Sequence, residues 1–87
     1  MEISDEMIET MLPAVREQME SSATPYVKEA FIRLTEKESL PQQDALELMA
    51  QVLAVCANDM IVSGEAFNDK SYKELLKSLP LLPDESE

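Results

Sequence analysis

Histidine and tryptophan are absent from this chain, and glycine and cysteine occur once each, at Gly64 and Cys56. Each absence removes a class of chemistry. Without histidine, no side chain titrates near neutral pH unless its environment shifts it, and imidazole-activated nucleophiles are out of reach. One glycine cannot build the loops that bring successive backbone N–H groups against a phosphate. One cysteine forms neither an intrachain disulfide nor a thiolate cluster, and fits a reducing compartment. Cations are scarce as well: 7 Lys and Arg stand against 18 Asp and Glu, a formal net charge of −11. Phosphate backbones require a basic face, so DNA and RNA are not expected partners. No motif asks for a cofactor or a metal ion.

What is present points to helices. At 45% hydrophobic residues over 87 positions, the chain can bury one small core and is too apolar to be disordered throughout. That core is aliphatic and Met-rich, with Phe31, Phe67, Tyr26 and Tyr72 as its aromatics. No useful period-2 run appears, which argues against strands. The longest uninterrupted apolar run covers only residues 52–57, far short of the roughly 20 that span a bilayer. The first residues are acidic and lack a basic flank, unlike a secretory signal. The expectation is a cytoplasmic protein with no membrane contact.

Apolar spacing and end signals divide the chain into an all-α bundle of about four helices. Ser4 can cap the first, with Asp5 and Glu6 in the turn where the helix dipole favours acids. Met7, Ile8, Met11, Leu12, Val15 and Met19 make its stripe. Pro13 lies off the stripe and takes a donor from the carbonyl of Glu9, which predicts a kink or a division into two short helices. A loop at 21–23 precedes Thr24-Pro25, an N-cap with proline at the first helical position. Val27, Ala30, Phe31 and Leu34 face inward, Glu29 and Arg33 pair on the outside, and Ile32 points away from the stripe.

After a connection at 37–40, Pro41 opens the longest helix. It runs to about Ser63, where Gly64 supplies the left-handed terminus. Apolar residues from Ala45 to Met60 and Ile61 cover most of its circumference, leaving Glu47, Gln51 and Asn58 as a polar strip with Ala54 between them. A helix of that kind is buried on several sides, so it should be the hub, with Met49, Val52, Leu53 and Cys56 deepest. Asn68 caps the last helix, Phe67 and Tyr72 have the spacing of a hydrophobic staple, and Tyr72, Leu75, Leu76 and Leu79 face inward. Pro80 ends it. Residues 1–83 read as one helical domain, with 81–83 packed back on the bundle and 84–87 a frayed acidic tail.

From Thr24 the chain reads TPYVKEAFIRL, then DALELMAQVLA, then GEAFNDKSYKELLKSLPLLP. Over residues 24–83 this resembles a small bacterial family of uncharacterised all-helical proteins. The shared points are Thr24-Pro25-Tyr26, Arg33-Leu34, Asp44-Ala45-Leu46, Gly64, Phe67, Tyr72 and Leu79-Pro80, which are mostly caps, turns and core positions. The resemblance implies a helical fold and brings no activity with it.

Few residues are candidates for chemistry. Asn58 and Asp59 sit beside apolar neighbours on the central helix. Asp59 reads either as an ion ligand or tuned acid, or as a partly buried carboxylate satisfied by a loop N–H, Lys70 or Lys73; paired burial is the commoner situation. Residues 58–69 lack the alternating oxygen ligands of a calcium loop. The acid pairs Asp5/Glu9 and Glu2/Glu6 read as a solvated face. Ser63-Gly64 has no histidine to make it a nucleophile elbow, and no Asp-Ser-Leu marks an acyl carrier, since Ser71 precedes Tyr72. Cys56 reads as a small buried hydrophobe. Lys70, Lys73 and Lys77 line one side of the last helix, near its negative end.

The function these residues suggest is a non-enzymatic protein–protein interaction module. Two alternatives stand beside it: an acidic inhibitor or nucleic-acid mimic that binds a basic protein, and a small enzyme or ion site around Asp59 with Asn58, Tyr26 and Tyr72. Two modes of association are open. One is a homodimer through Ile32, the Met-rich first stripe, Leu81 and Leu82. The other is charge-led binding of a basic protein through Glu2, Asp5, Glu6, Glu9, Glu17 and Glu20.

Overall fold

Four α-helices alternate in direction: α1 (Asp5–Glu20), α2 (Pro25–Glu36), α3 (Gln42–Ser63) and α4 (Asp69–Ser78). The computed structural model describes residues 5–79. The positions expected for Ser4, Pro80, Leu81, Leu82 and the acidic tail lie outside them. α1 and α3 run parallel, because Asp5 and Ile8 share a surface hollow with Gln43 and Glu47 at the start of each. α2 and α4 run the other way. Tyr26 meets Tyr72 near their first turns, and Arg33 meets the last turn of α4.

The helix ends follow local chemistry. Pro25 starts α2, but Thr24 makes no side-chain cap. Its Oγ1 instead donates to the carbonyl of Gln18 at 2.8 Å, which serves one of the last carbonyls of α1 and closes the turn. Ser39 takes a left-handed φ of 57° in the α2–α3 connection, letting the Leu40 N–H bond back to the Leu34 carbonyl at 3.1 Å. Gly64 ends α3 with φ 74° and donates to the carbonyl of Met60, a conformation that costs glycine no steric clash. The Asn68 side chain accepts from the Ser71 N–H at 3.0 Å, as an N-cap should.

α3 is the hub, packing most extensively on α1 and also on α2 and α4. Met49 and Val52 are fully buried, and Leu53 and Cys56 are each 5% exposed. Val15, Val27, Leu34, Tyr72, Leu76 and Leu79 close around them.

Four expectations are corrected. Of the two outcomes expected at Pro13, a kink or a division into two short helices, the division does not occur: α1 continues through it. Pro13 is exposed, so water can serve the Glu9 carbonyl, while the opposite face holds the helix against α3. Arg33 is not an outer partner of Glu29; it is half-buried and reaches α4. The polar strip of α3 is narrower than its sequence suggests, because Ala54 is fully buried and Gln51 and Asn58 are half-buried. Three neighbouring helices crowd its flanks. Finally, Met60 and Ile61 lie on the surface, at 36% and 72% exposed. At 1.5 Å per residue, 16-residue α1 is about 24 Å long and 22-residue α3 about 33 Å. The two start level, so the last turns of α3 project beyond α1 and lose its cover.

Candidate functional site

Tyr72 organises the end of the bundle where α4 begins. It is 1% exposed. Phe67, just before the cap, meets it edge-on with ring centroids 5.6 Å apart, which is the expected staple. Tyr26 meets it edge-on from α2 at 6.1 Å. Its hydroxyl donates to Gln18 Oε1 of α1 at 2.6 Å. Burial, followed by the proximity of Tyr26 and Cys56, drives its pKa far above the ordinary phenol value. Tyr26 is shifted up too, by burial and then Asp69. Burial and then Asp59 push the Cys56 thiol up from 9.0 to about 11. A buried thiol with a raised pKa is a poor nucleophile.

Tyr26, Asp59 and Tyr72, three of the polar groups that an enzymatic reading needs, do not meet in one cleft. Tyr26 opens into a hollow between α2 and α4, Asp59 into another at the α3–α4 turn, and the Tyr72 hydroxyl is held on α1. Asp59 is exposed rather than partly buried, because it lies on the projecting end of α3. Solvated there, it needs neither Lys70 nor Lys73. Among the described residues, no three His, Cys, Asp or Glu side chains come together as a metal site.

The α2–α4 hollow, about 460 Å³, gathers Tyr26, Glu29, Arg33, Lys73 and Lys77. Two of its cations, Arg33 and Lys73, make contacts within the fold. Arg33 Nη1 donates to the Leu79 carbonyl at 2.9 Å and Nη2 to the Leu76 carbonyl at 2.8 Å. The guanidinium thus caps the carboxyl end of α4, where the helix dipole is negative. Lys73 Nζ lies 5.7 Å from the Tyr26 ring centre, within cation–π range. Arg33→Ala should cost about 1.5–3 kcal/mol, the value of charge-assisted hydrogen bonds, measured by urea denaturation. Arg33→Lys should recover only part of this, because one ammonium does not reproduce the planar fork. A full recovery would show that charge alone acts there.

The raised thiol and phenol set an alkaline limit on stability. Cys56 and Tyr72 ionise more readily in the unfolded chain than in the folded one. Their contribution is therefore whole below about pH 9. It falls as pH rises through about 11 for Cys56, and further up for Tyr72. The melting temperature should drop steeply from pH 9 to 11, and Cys56→Ala should flatten that part of the curve relative to its own value at pH 8. A variant curve parallel to wild type would remove Cys56 as a cause.

The second hollow, about 240 Å³, lies where α3 ends and α4 begins, with Cys56, Asp59, Met60, Val62, Glu65 and Asn68 among its lining residues. It is smaller than the roughly 300 Å³ at which small-molecule pockets begin. Beside it stand Ile61, 72% exposed, and Val62, 77% exposed. Ile32 is also exposed, at 41%. The Met-rich stripe of α1, by contrast, is largely consumed by the core: Met11 and Met19 pack against it.

The sequence reading missed the exposure of Ile61 and Val62. The available signal was that Met60, Ile61 and Val62 are consecutive, and three successive helical positions cannot all face one core. The length of α3 also bears on membranes. Although its longest unbroken apolar run is short, the helix as a whole is long and apolar enough to cross a bilayer, and half of that stretch is buried inside the bundle. No family model, curated protein or solved structure matches the chain.

Proposed function

We propose that this protein is a non-enzymatic, cytoplasmic protein–protein interaction module that binds its partner through the projecting end of α3. The observation that carries this reading is the pair Ile61 and Val62, more than two-thirds exposed on a chain of net charge −11. Apolar side chains exposed on a charged surface gain about 25 cal/mol for each Å² they bury on contact. The absence of histidine and the scattering of Asp59, Tyr26 and Tyr72 support a binding role over turnover. The charge of −11 disfavours nucleic acid and anionic membranes alike. A bilayer would have to take α3 out of the core it organises.

The test is comparative capture from the native host, with wild type and Ile61→Ser/Val62→Ser held at equal concentration and checked for equal helicity. One identified protein retained by wild type and lost from the variant is the expected result. A partner retained equally by both would place the binding surface elsewhere.

A further inference from the structure

We infer that the occupant of the projecting α3 end is a cationic amphipathic segment of a partner protein. In this arrangement its apolar side chains cover Ile61 and Val62, and its Lys or Arg side chains reach the carbonyls at the end of α3 and the carboxylates of Asp59 and Glu65. This rests on the interaction reading above and names the partner's chemistry.

Three observations converge. First, among the described residues, the negative pole at the end of α3 is uncompensated. Its last turn has no basic residue, although cations are what a helix C-terminus favours. The Gly64 N–H serves the Met60 carbonyl, and the Glu65 N–H is taken by Ser63 Oγ at 3.2 Å. Among the described residues, no backbone N–H outside the helix reaches the carbonyls of Ile61, Val62 or Ser63. Second, Asp59 and Glu65 line the adjoining hollow, and residues 58–68 contain no Lys or Arg. The opposite end of the bundle is also acidic, with Asp5, Glu9 and Glu47 around one hollow, but the apolar residues there, Ile8 and Leu12, are half-buried rather than exposed; on α2 and α4 the cations interleave with acids. Third, the apolar residues stand beside these acceptors, with Val62 and Met60 lining the same hollow as Asp59 and Glu65.

Apolar contact and negative charge therefore occupy one place, and they select a partner that supplies both complements. A second copy of this chain is the wrong occupant. Two-fold pairing brings the same patch onto itself, so Asp59, Glu65 and the helix pole would face their own images. An anionic lipid surface is repelled for the same reason. A segment with basic residues flanking apolar ones meets every group.

The probe is a fluorescent amphipathic Leu/Lys peptide, compared with a Leu/Glu peptide of the same pattern and with a scrambled Leu/Lys peptide. Binding is measured by anisotropy at low and high salt. Because any basic peptide is drawn to a chain of charge −11, the location of binding decides the matter. The Leu/Lys peptide should bind, the Leu/Glu peptide should not, and Ile61→Ser/Val62→Ser should weaken binding about tenfold without any change of charge. Asp59→Asn/Glu65→Gln should weaken it severalfold and flatten its salt dependence. Asp5→Asn/Glu9→Gln, the same loss of charge at the far end of the bundle, should have little effect. Amide shift changes on wild type should cluster at residues 56–68, which keeps the test valid should a variant misfold.

Equal weakening by the far-end pair, or equal binding of the scrambled peptide, would overturn the proposal in favour of diffuse attraction. Sedimentation as a dimer that Ile61→Ser/Val62→Ser dissociates would also overturn it, with a second copy as the occupant. Host capture that depends on Ile61 and Val62 but proceeds through an uncharged or acidic segment would overturn it too. Those last two outcomes leave the interaction surface standing, whereas capture indifferent to Ile61 and Val62 removes the surface itself.

Discussion

Tyr72→Ala is expected to cost about 3–5 kcal/mol and to leave the chain largely unfolded at 37 °C, since domains of this kind hold only about 5–15 kcal/mol in all. Tyr72 is 1% exposed and is touched by aromatic rings from two directions. Removing it opens a cavity between α2, α3 and α4 that the short α4 cannot close. The same change deletes the staple that fixes how the chain enters α4 and leaves Gln18 without its donor at 2.6 Å. Tyr72→Phe separates these effects. It keeps the ring and its edge contacts and loses only the hydroxyl, so about 0.5–1.5 kcal/mol should go. Urea midpoints for both variants, at unchanged slope, check the expectation. A cost below about 1 kcal/mol for Tyr72→Ala would mean that the ring does not join α4 to the bundle.

The parts of this molecule that were legible in advance are those fixed by neighbours in the chain. The Asn68 cap and the Phe67–Tyr72 staple depend on residues within five positions of one another, so spacing alone reveals them. Pro25, Pro41 and Gly64 mark helix ends because their backbone preferences are intrinsic. The hub role of α3 was legible from its all-round apolarity. Arg33 was not legible: its partners lie 43 and 46 residues away, and a helix terminus gives no sign in the sequence of which distant cation will cap it. Glu29, four residues before it, looked the better partner.

The candidate site was half legible. Asn58 and Asp59 drew notice because they interrupt an apolar helix. That Asp59 is solvated and that Ile61 and Val62 stand in the open follows from how far α3 outruns α1. It is a property of two helices starting level, and neither sequence contains it alone. The chemistry of the place then changes meaning: a carboxylate that looked buried and in need of a partner is part of an outward-facing acidic and apolar end.

Truncating one helix at two points should give opposite outcomes. Leu53, 5% exposed in the middle of α3, should cost about 2–5 kcal/mol on replacement by alanine, because it faces a packed core that relaxes only partly. Ile61, two turns further along and 72% exposed, loses little burial on the same replacement. Alanine is also the better helix former by a few tenths of a kcal/mol, since the β-branched side chain gives up rotamer freedom in a helix. Ile61→Ala and Val62→Ala should therefore leave stability within about 0.5 kcal/mol of wild type, or raise it slightly. Thermal and urea melts of the three single variants decide this. Losses at Ile61 or Val62 as large as at Leu53 would show that both side chains serve the core and would remove the surface proposed for binding. Neutral or raised stability, together with lost binding, would show that the fold gains nothing from these two side chains and that their contribution is made to a partner.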